Sequence, residues 1–150
     1  MRAYNSIEEL PNPLPLFPLT GVLLLPRGQL PLNVFEPRYL ALVDSAMSGG
    51  RVIGMIQPAE AEEKALTPKL SAVGCAGRIT SYRETDDGRY LITLTGVCRF
   101  RVKSELSTQA AFRAVDPDYA PFAGDLVAND ENDFPRDRVI DALKDYLSKR

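Results

Sequence analysis

Few residues in this chain could do chemistry. Histidine is absent from all 150 positions. That removes the commonest general base, the Ser-His arrangement and the commonest zinc ligand together. The two cysteines, Cys75 and Cys98, are too few for a disulfide scaffold and, without histidine, too few for structural zinc. Serine and lysine both occur, but no spacing sets one beside the other. The acidic clusters Glu60, Glu62, Glu63 and Asp130, Glu131, Asp133 lack supporting metal donors and read as solvated faces. Neither phosphate-loop nor dinucleotide glycine motifs occur, nor a G-x-S-x-G elbow. These absences favour binding over catalysis, with no cofactor and no metal.

One basic group has a pattern. Arg99, Arg101 and Lys103 alternate along one strand face, and Arg78 on the expected partner strand shares that side. The plain reading is a charged outer face. The functional one is contact with phosphates or with an acidic partner segment. RNA recognition would want exposed aromatics between the charges, and only Tyr82 qualifies.

The elements that must position these residues follow from periodicity. From Arg89 to Lys103 the chain alternates: Tyr90, Ile92, Leu94, Gly96, Cys98, Phe100 and Val102 on one parity, mostly polar residues on the other. That is a half-buried antiparallel strand, with Gly96 marking a bend or bulge. Residues 72–84 form its partner through a turn at Asp86-Asp87-Gly88. Pairing Asp86 with Arg89 sets Cys75 against Phe100 and Cys98 against Gly77. The thiols become diagonal neighbours on one inward face. Two buried core thiols are the plain reading, with a regulatory disulfide and then a metal pair as the alternatives.

Seven of the twelve prolines (Pro11, Pro13, Pro15, Pro18, Pro26, Pro31, Pro37) fall in the first quarter of the chain. They suit short strands at sheet edges, near residues 14–19 and 30–34, with a turn at Pro26-Arg27-Gly28. Pro37 opens a helix to Met47, with Phe35 stapled to Leu40 across the N-cap. Leu40, Val43 and Met47 face the core, flanked by Tyr39, and Ser48-Gly49-Gly50 ends the helix. Strands are expected at 51–57 and 110–115, and loops at 58–68 and 116–133. An amphipathic helix begins near Pro135, with Val139, Leu143, Tyr146 and Leu147 as its apolar stripe.

Acidic and basic residues nearly balance, for a net charge of −2. A strongly basic nucleic-acid binder is therefore not expected. With 45% hydrophobic and 25% charged residues the chain is globular, of a size for one domain. The N-terminus shows no signal-peptide pattern, and its apolar stretch is broken by prolines. A cytoplasmic protein with reduced thiols is the expectation, away from membranes.

Four runs carry a family resemblance: LPLFPLTGVLLLPRGQLPLNVFEPRYLALVDSAM at 14–47, IGMIQP at 53–58, VGCAGRI at 73–79 and YLITLTGVCRFRV at 90–102. In this order the chain resembles the N-terminal, substrate-binding domain of ATP-dependent Lon protease. Phe35-Glu36-Pro37-Arg38-Tyr39, with the later Leu-Thr-Gly-Val-x-Arg-Phe run containing Gly96, carries most of the likeness. The resemblance implies a mainly β, α+β fold: a PUA-like β-pseudobarrel over residues 1–134, with one helix after the Phe-Glu-Pro-Arg-Tyr motif. The start of a truncated C-terminal helical region would follow at 135–150. It also implies a stand-alone Lon-domain protein or a fragment of one, without ATPase or protease domains. Its partners would be polypeptide substrates or other proteins, and oligomerisation stays open. Within that frame, Leu16, Leu23, Leu25 and Leu30 would line an exposed apolar edge suited to extended unfolded peptides. The alternative is RNA binding through Arg78, Arg99 and Arg101. Glu36 and Arg38 would form a surface pair, or Glu36 would meet a sheet arginine.

Overall fold

A computed structural model of the chain describes residues 4–59, 70–107 and 110–127. The acidic clusters at 60–63 and 130–133 and the helix expected from Pro135 lie outside them. Six strands run in chain order: β1 (Leu14–Pro18), β2 (Gln29–Val34), β3 (Val52–Ile56), β4 (Val73–Glu84), β5 (Tyr90–Leu106) and β6 (Ala114–Asp118). Helix α1 (Pro37–Met47) joins β2 to β3, and a short helix α2 (Gly124–Val127) follows a 3-10 turn at Ala120–Phe122. This is an α+β fold.

The strands hydrogen-bond in the order β2-β5-β4-β3-β1-β6, and β6 returns to pair with β5. That last pairing closes a pseudobarrel. It is possible because β5 is 17 residues long. Its first part serves β2 and its last part serves β6, so β2 is left as an added edge. Pro31 sits on that edge, where its missing N–H costs no ladder bond. The proline-bearing β1 is not an edge strand, contrary to expectation. It lies between β3 and β6, but each partner covers only part of it: β6 pairs with Leu14 and Pro15, β3 with Leu16 to Pro18.

Two apolar cores lie on opposite faces of the β1-β3-β4 sheet. Leu14, Leu16, Ala76, Cys98, Phe100 and Val115 fill the barrel. Phe17, Ile53, Cys75, Ile79, Ile92 and Leu94 pack beneath α1. Strand β3 is therefore buried at every residue. Along α1 the buried positions are Tyr39, Leu42, Val43 and Ala46, which recur at i, i+3, i+4 and i+7. The inward stripe is rotated from the expected one, leaving Leu40 and Met47 only partly buried. Tyr39 stacks on Phe17 with ring centroids 4.2 Å apart, which sets that rotation. Phe35 does not close as a staple. It stands 64% exposed beside the N-cap residue Glu36.

The β4–β5 register differs by one residue from the expected pairing. Asp86, Asp87 and Gly88 form a three-residue loop closed by the Thr85 N–H donating to Arg89 O at 2.8 Å. Gly88 has φ +84°, as such loops require. Glu84 thus faces Tyr90. Two compensating irregularities follow, at Thr80 on β4 and at Val97 on β5. Cys75 therefore faces Arg99, and Cys98 faces Ala76. The bulge at Val97 also sends one parity of β5 into both cores: Ile92 and Leu94 below α1, Cys98 and Phe100 into the barrel. Strand β6 starts later than expected and includes Pro117. The 3-10 turn and α2 occupy a stretch expected to be loop.

Candidate functional site

Residues 19–28 cross the outside of the sheet at Gly96. The Gly96 N–H donates to Gly28 O and the Arg27 N–H donates to Gly96 O, both at 2.8 Å. The Gly28 N–H closes the turn onto Leu25 O at 2.8 Å, with Arg27 at φ +67°. Here the expected turn is present and Gly96 has its reason: only a residue without Cβ lets two backbones lie this close. Leu24 is driven into the core beneath α1, while Val22, Leu23 and Leu25 remain partly exposed.

Those three residues form one wall of a groove of about 200 Å³. Met55, Ile56, Gly74 and Cys75 make its floor, with Gln57, Ser71, Val73 and Arg99 around the rim. Gln57 Nε2 donates to Val22 O at 3.1 Å and ties the wall to the floor. Val73 is 40% exposed. The groove is smaller than the roughly 300–1,000 Å³ of small-molecule sites, and it suits one or two apolar side chains. A larger, more open depression of about 450 Å³ on the outer face of β2, β5 and β4 is lined by Pro31, Asn33, Ser81, Arg83, Leu91 and Thr93, with no wall among the described residues comparable to residues 22–25 to enclose a side chain.

Arg99 is fixed in place. Its Nε and Nη2 donate to the two carboxylate oxygens of Asp125 at 3.0 and 2.8 Å, and its backbone N–H donates to the same carboxylate at 2.9 Å. The guanidinium also lies 4.8 Å from the Phe122 ring centroid. Burial pushes the Asp125 carboxyl up, but the Arg99 donors outweigh it and hold the carboxyl below its ordinary value. The same contact raises Arg99. Cys75 in the floor is pushed up to about 12, chiefly by burial and then by the Asp125 charge. It is a neutral thiol at physiological pH and no nucleophile.

The sequence-derived candidates are dispersed by the fold. Leu23 and Leu25 line the groove and Arg99 bounds it. Arg101 is exposed and pairs with Val73 across the ladder, so its side chain leaves the sheet on the Val73 side. Leu16 is a correction: it is fully buried in the barrel against Gly54 and can touch no ligand. Leu30 packs partly buried toward α1. Arg78 is a second correction. Three residues from Cys75 on β4, it emerges on the opposite face from Arg99, where it donates to Tyr4 Oη at 3.3 Å and Gly50 O at 3.5 Å. Glu36 and Arg38 approach to 3.9 Å on the surface, and the Arg38 guanidinium covers the Tyr39 ring at 4.6 Å. The motif thus builds the start of α1. Val22, Val73 and Asp125 were not singled out by the sequence reading. Only Val22 had a signal, its place in the proline-broken apolar run.

Comparison with known proteins decides the family. Residues 13–149 match the family model described as the ATP-dependent protease La (LON) substrate-binding domain. The chain belongs to this family. It is 30% identical over 120 residues to a Lon protease of Desulfosudis oleivorans, covering 76% of this chain and 15% of that protein. A Lon protease of Flavobacterium johnsoniae is 27% identical over 139 residues, 92% of this chain and 16% of the relative. The chain thus spans less than a fifth of the length of these relatives. The crystal structure of a Lon N-terminal domain protein from Xanthomonas campestris superposes with a TM-score of 0.58 at 31% identity, covering 71% of this chain and 58% of that one. The N-terminal domain of the Mycobacterium avium complex Lon protease shares the fold at 16% identity, with a TM-score of 0.57 over 71% of this chain and 53% of that one. Among the described residues no helix is long and apolar enough to cross a membrane.

Proposed function

We propose that this chain is a non-catalytic binding module that holds polypeptide segments by seating apolar side chains between Val22, Leu23, Leu25 and Val73. The observation that carries this reading is the groove itself, an accessible slot lined mostly by apolar side chains and walled by the crossing of residues 22–25 over the sheet. The family description, a substrate-binding domain of a protease, supports it. So do the neutral thiols Cys75 and Cys98, both pushed up to about 12. The RNA reading loses its geometric basis because Arg78 faces away from Arg99 and Arg101. Partners are unfolded or extended polypeptides, and the setting that suits reduced buried thiols is the cytoplasm.

The test is a titration against a labelled, permanently unfolded protein, with single-stranded RNA as control. Saturable binding should persist between about 0.1 and 1 M salt, where the Debye length falls from ~10 to ~3 Å. Leu23→Asp and Leu25→Asp should each weaken it on the order of tenfold or more, because a carboxylate in an apolar slot is desolvated without a partner. Binding untouched by either substitution in a folded variant would refute this site.

A further inference from the structure

We propose, resting on the polypeptide-binding reading above, that the groove selects an apolar side chain followed within one or two residues by an acidic one, read by Arg101 and the outer edge of Arg99. Arg99 is the one charged residue among those lining the groove. Asp125 occupies its Nε and Nη2. Its Nη1 has no hydrogen-bond partner among the described residues, and the side chain is 46% exposed. Asp125 itself is 10% exposed, so its charge is spent on Arg99 and the backbone beneath. Arg101 is exposed and makes no ion pair among the described residues. It stands across from Val73 on β4, as Arg99 stands across from Cys75, and across from Asp118 on β6, with which it forms no ion pair.

The spacing sets the register of the ligand. Paired residues on an antiparallel ladder lie about 4.5–5.5 Å apart at Cα, and an extended chain advances about 3.3 Å per residue. A ligand side chain seated against Val73 therefore puts its next one or two residues over Arg101. A carboxylate there meets a guanidinium that can bind it bidentately. Neutral amides make weaker bonds, and a lysine meets like charge. Asp125 shows that a carboxylate is already accepted at this rim.

The test uses three fluorescent peptides, amidated at the C-terminus so that only side chains supply charge. They share a Leu-Leu body followed by two Glu, two Gln or two Lys. Anisotropy titrations with the wild-type chain should rank Glu tighter than Gln by roughly five- to tenfold, with Lys weakest. Arg101→Glu should reverse the order, Arg101→Lys should retain a reduced preference, and about 1 M salt should narrow the gap while binding persists. Melting curves check that the exposed-site variants are folded. Equal affinities for all three peptides, still abolished by Leu25→Asp, would overturn the acidic preference and leave the groove standing. No binding by any peptide would overturn the groove with it. Single-stranded RNA binding more tightly than the Glu peptide, lost in Arg101→Glu, would overturn the proposal by reassigning the pair to phosphate.

Discussion

Gly96 and Leu25 meet backbone to backbone: a Cβ on Gly96 would stand 2.7 Å from the Leu25 carbonyl carbon and closer still to its oxygen. The contact fixes the groove wall to the β5 bulge. Gly96→Ala must push residues 25–28 off the sheet and break two hydrogen bonds of 2.8 Å. It should cost about 2–4 kcal/mol and weaken polypeptide binding more than any substitution on β2. Chemical denaturation and the binding titration check both. Unchanged stability would mean that the crossing is looser than described.

Asp125 and Arg99 make stability pH-dependent. Burial raises the Asp125 carboxyl, yet the Arg99 donors leave it net lowered. Glu105 is also lowered, by its bond to Arg113 at 2.6 Å. A lowered carboxyl binds fewer protons folded than unfolded. Its contribution is therefore complete above the unfolded value of about 4, and is lost as pH falls through the folded value. Asp125→Asn should reduce stability at pH 7 by about 1 kcal/mol and lessen the loss of Tm on going to pH 3. Parallel Tm-against-pH curves for variant and wild type would sink the assignment.

Most of the elements were legible because their signals are local. Pro37 at the first helical position and the alternation from Tyr90 to Val102 needed no partner to be read. The register was not legible, because Asp86-Asp87-Gly88 fits a two- or a three-residue turn and one residue separates the outcomes. Leu16 and Leu23 look alike in a proline-broken apolar run; the pairing of β1 with β3 buries the first, and the crossing of residues 19–28 at Gly96 leaves the second on the groove wall. Asp125 was invisible as a site residue, because its partner lies 26 positions away and nothing in its acidic neighbourhood marks it.

Arg51 carries strain that glycine would relieve. Its N–H donates to Ala46 O at 2.9 Å, just past the end of α1, and its φ is +65°. The neighbouring Gly49 and Gly50 keep negative φ, so the left-handed position has fallen to a residue with a side chain. That conformation costs a side-chain-bearing residue roughly 1–2 kcal/mol, and glycine adds an unfolded-state entropy of about 0.5–1 kcal/mol. Arg51→Gly should therefore stabilise by up to about 1 kcal/mol, raising Tm by a few degrees. A lower Tm would mean that the exposed Arg51 side chain makes contacts that outweigh the strain.

Cys75 and Cys98 should stay reduced and unreactive. They lie on opposite faces of the sheet, one in each core, and burial pushes both thiols up to about 12. At pH 8 the thiolate fraction is then on the order of 10⁻⁴, against roughly a quarter for an ordinary cysteine. Native protein should resist a thiol-specific reagent for hours at pH 8 and react fully once denaturant is added. Mild oxidant should give no intramolecular cross-link, because a bond would have to pass through the backbone of β4 and β5. A stoichiometric intramolecular disulfide in folded protein would instead require the Val97 bulge to be lost while the one at Thr80 stays, a one-residue shift that sets Cys75 opposite Cys98 on one face.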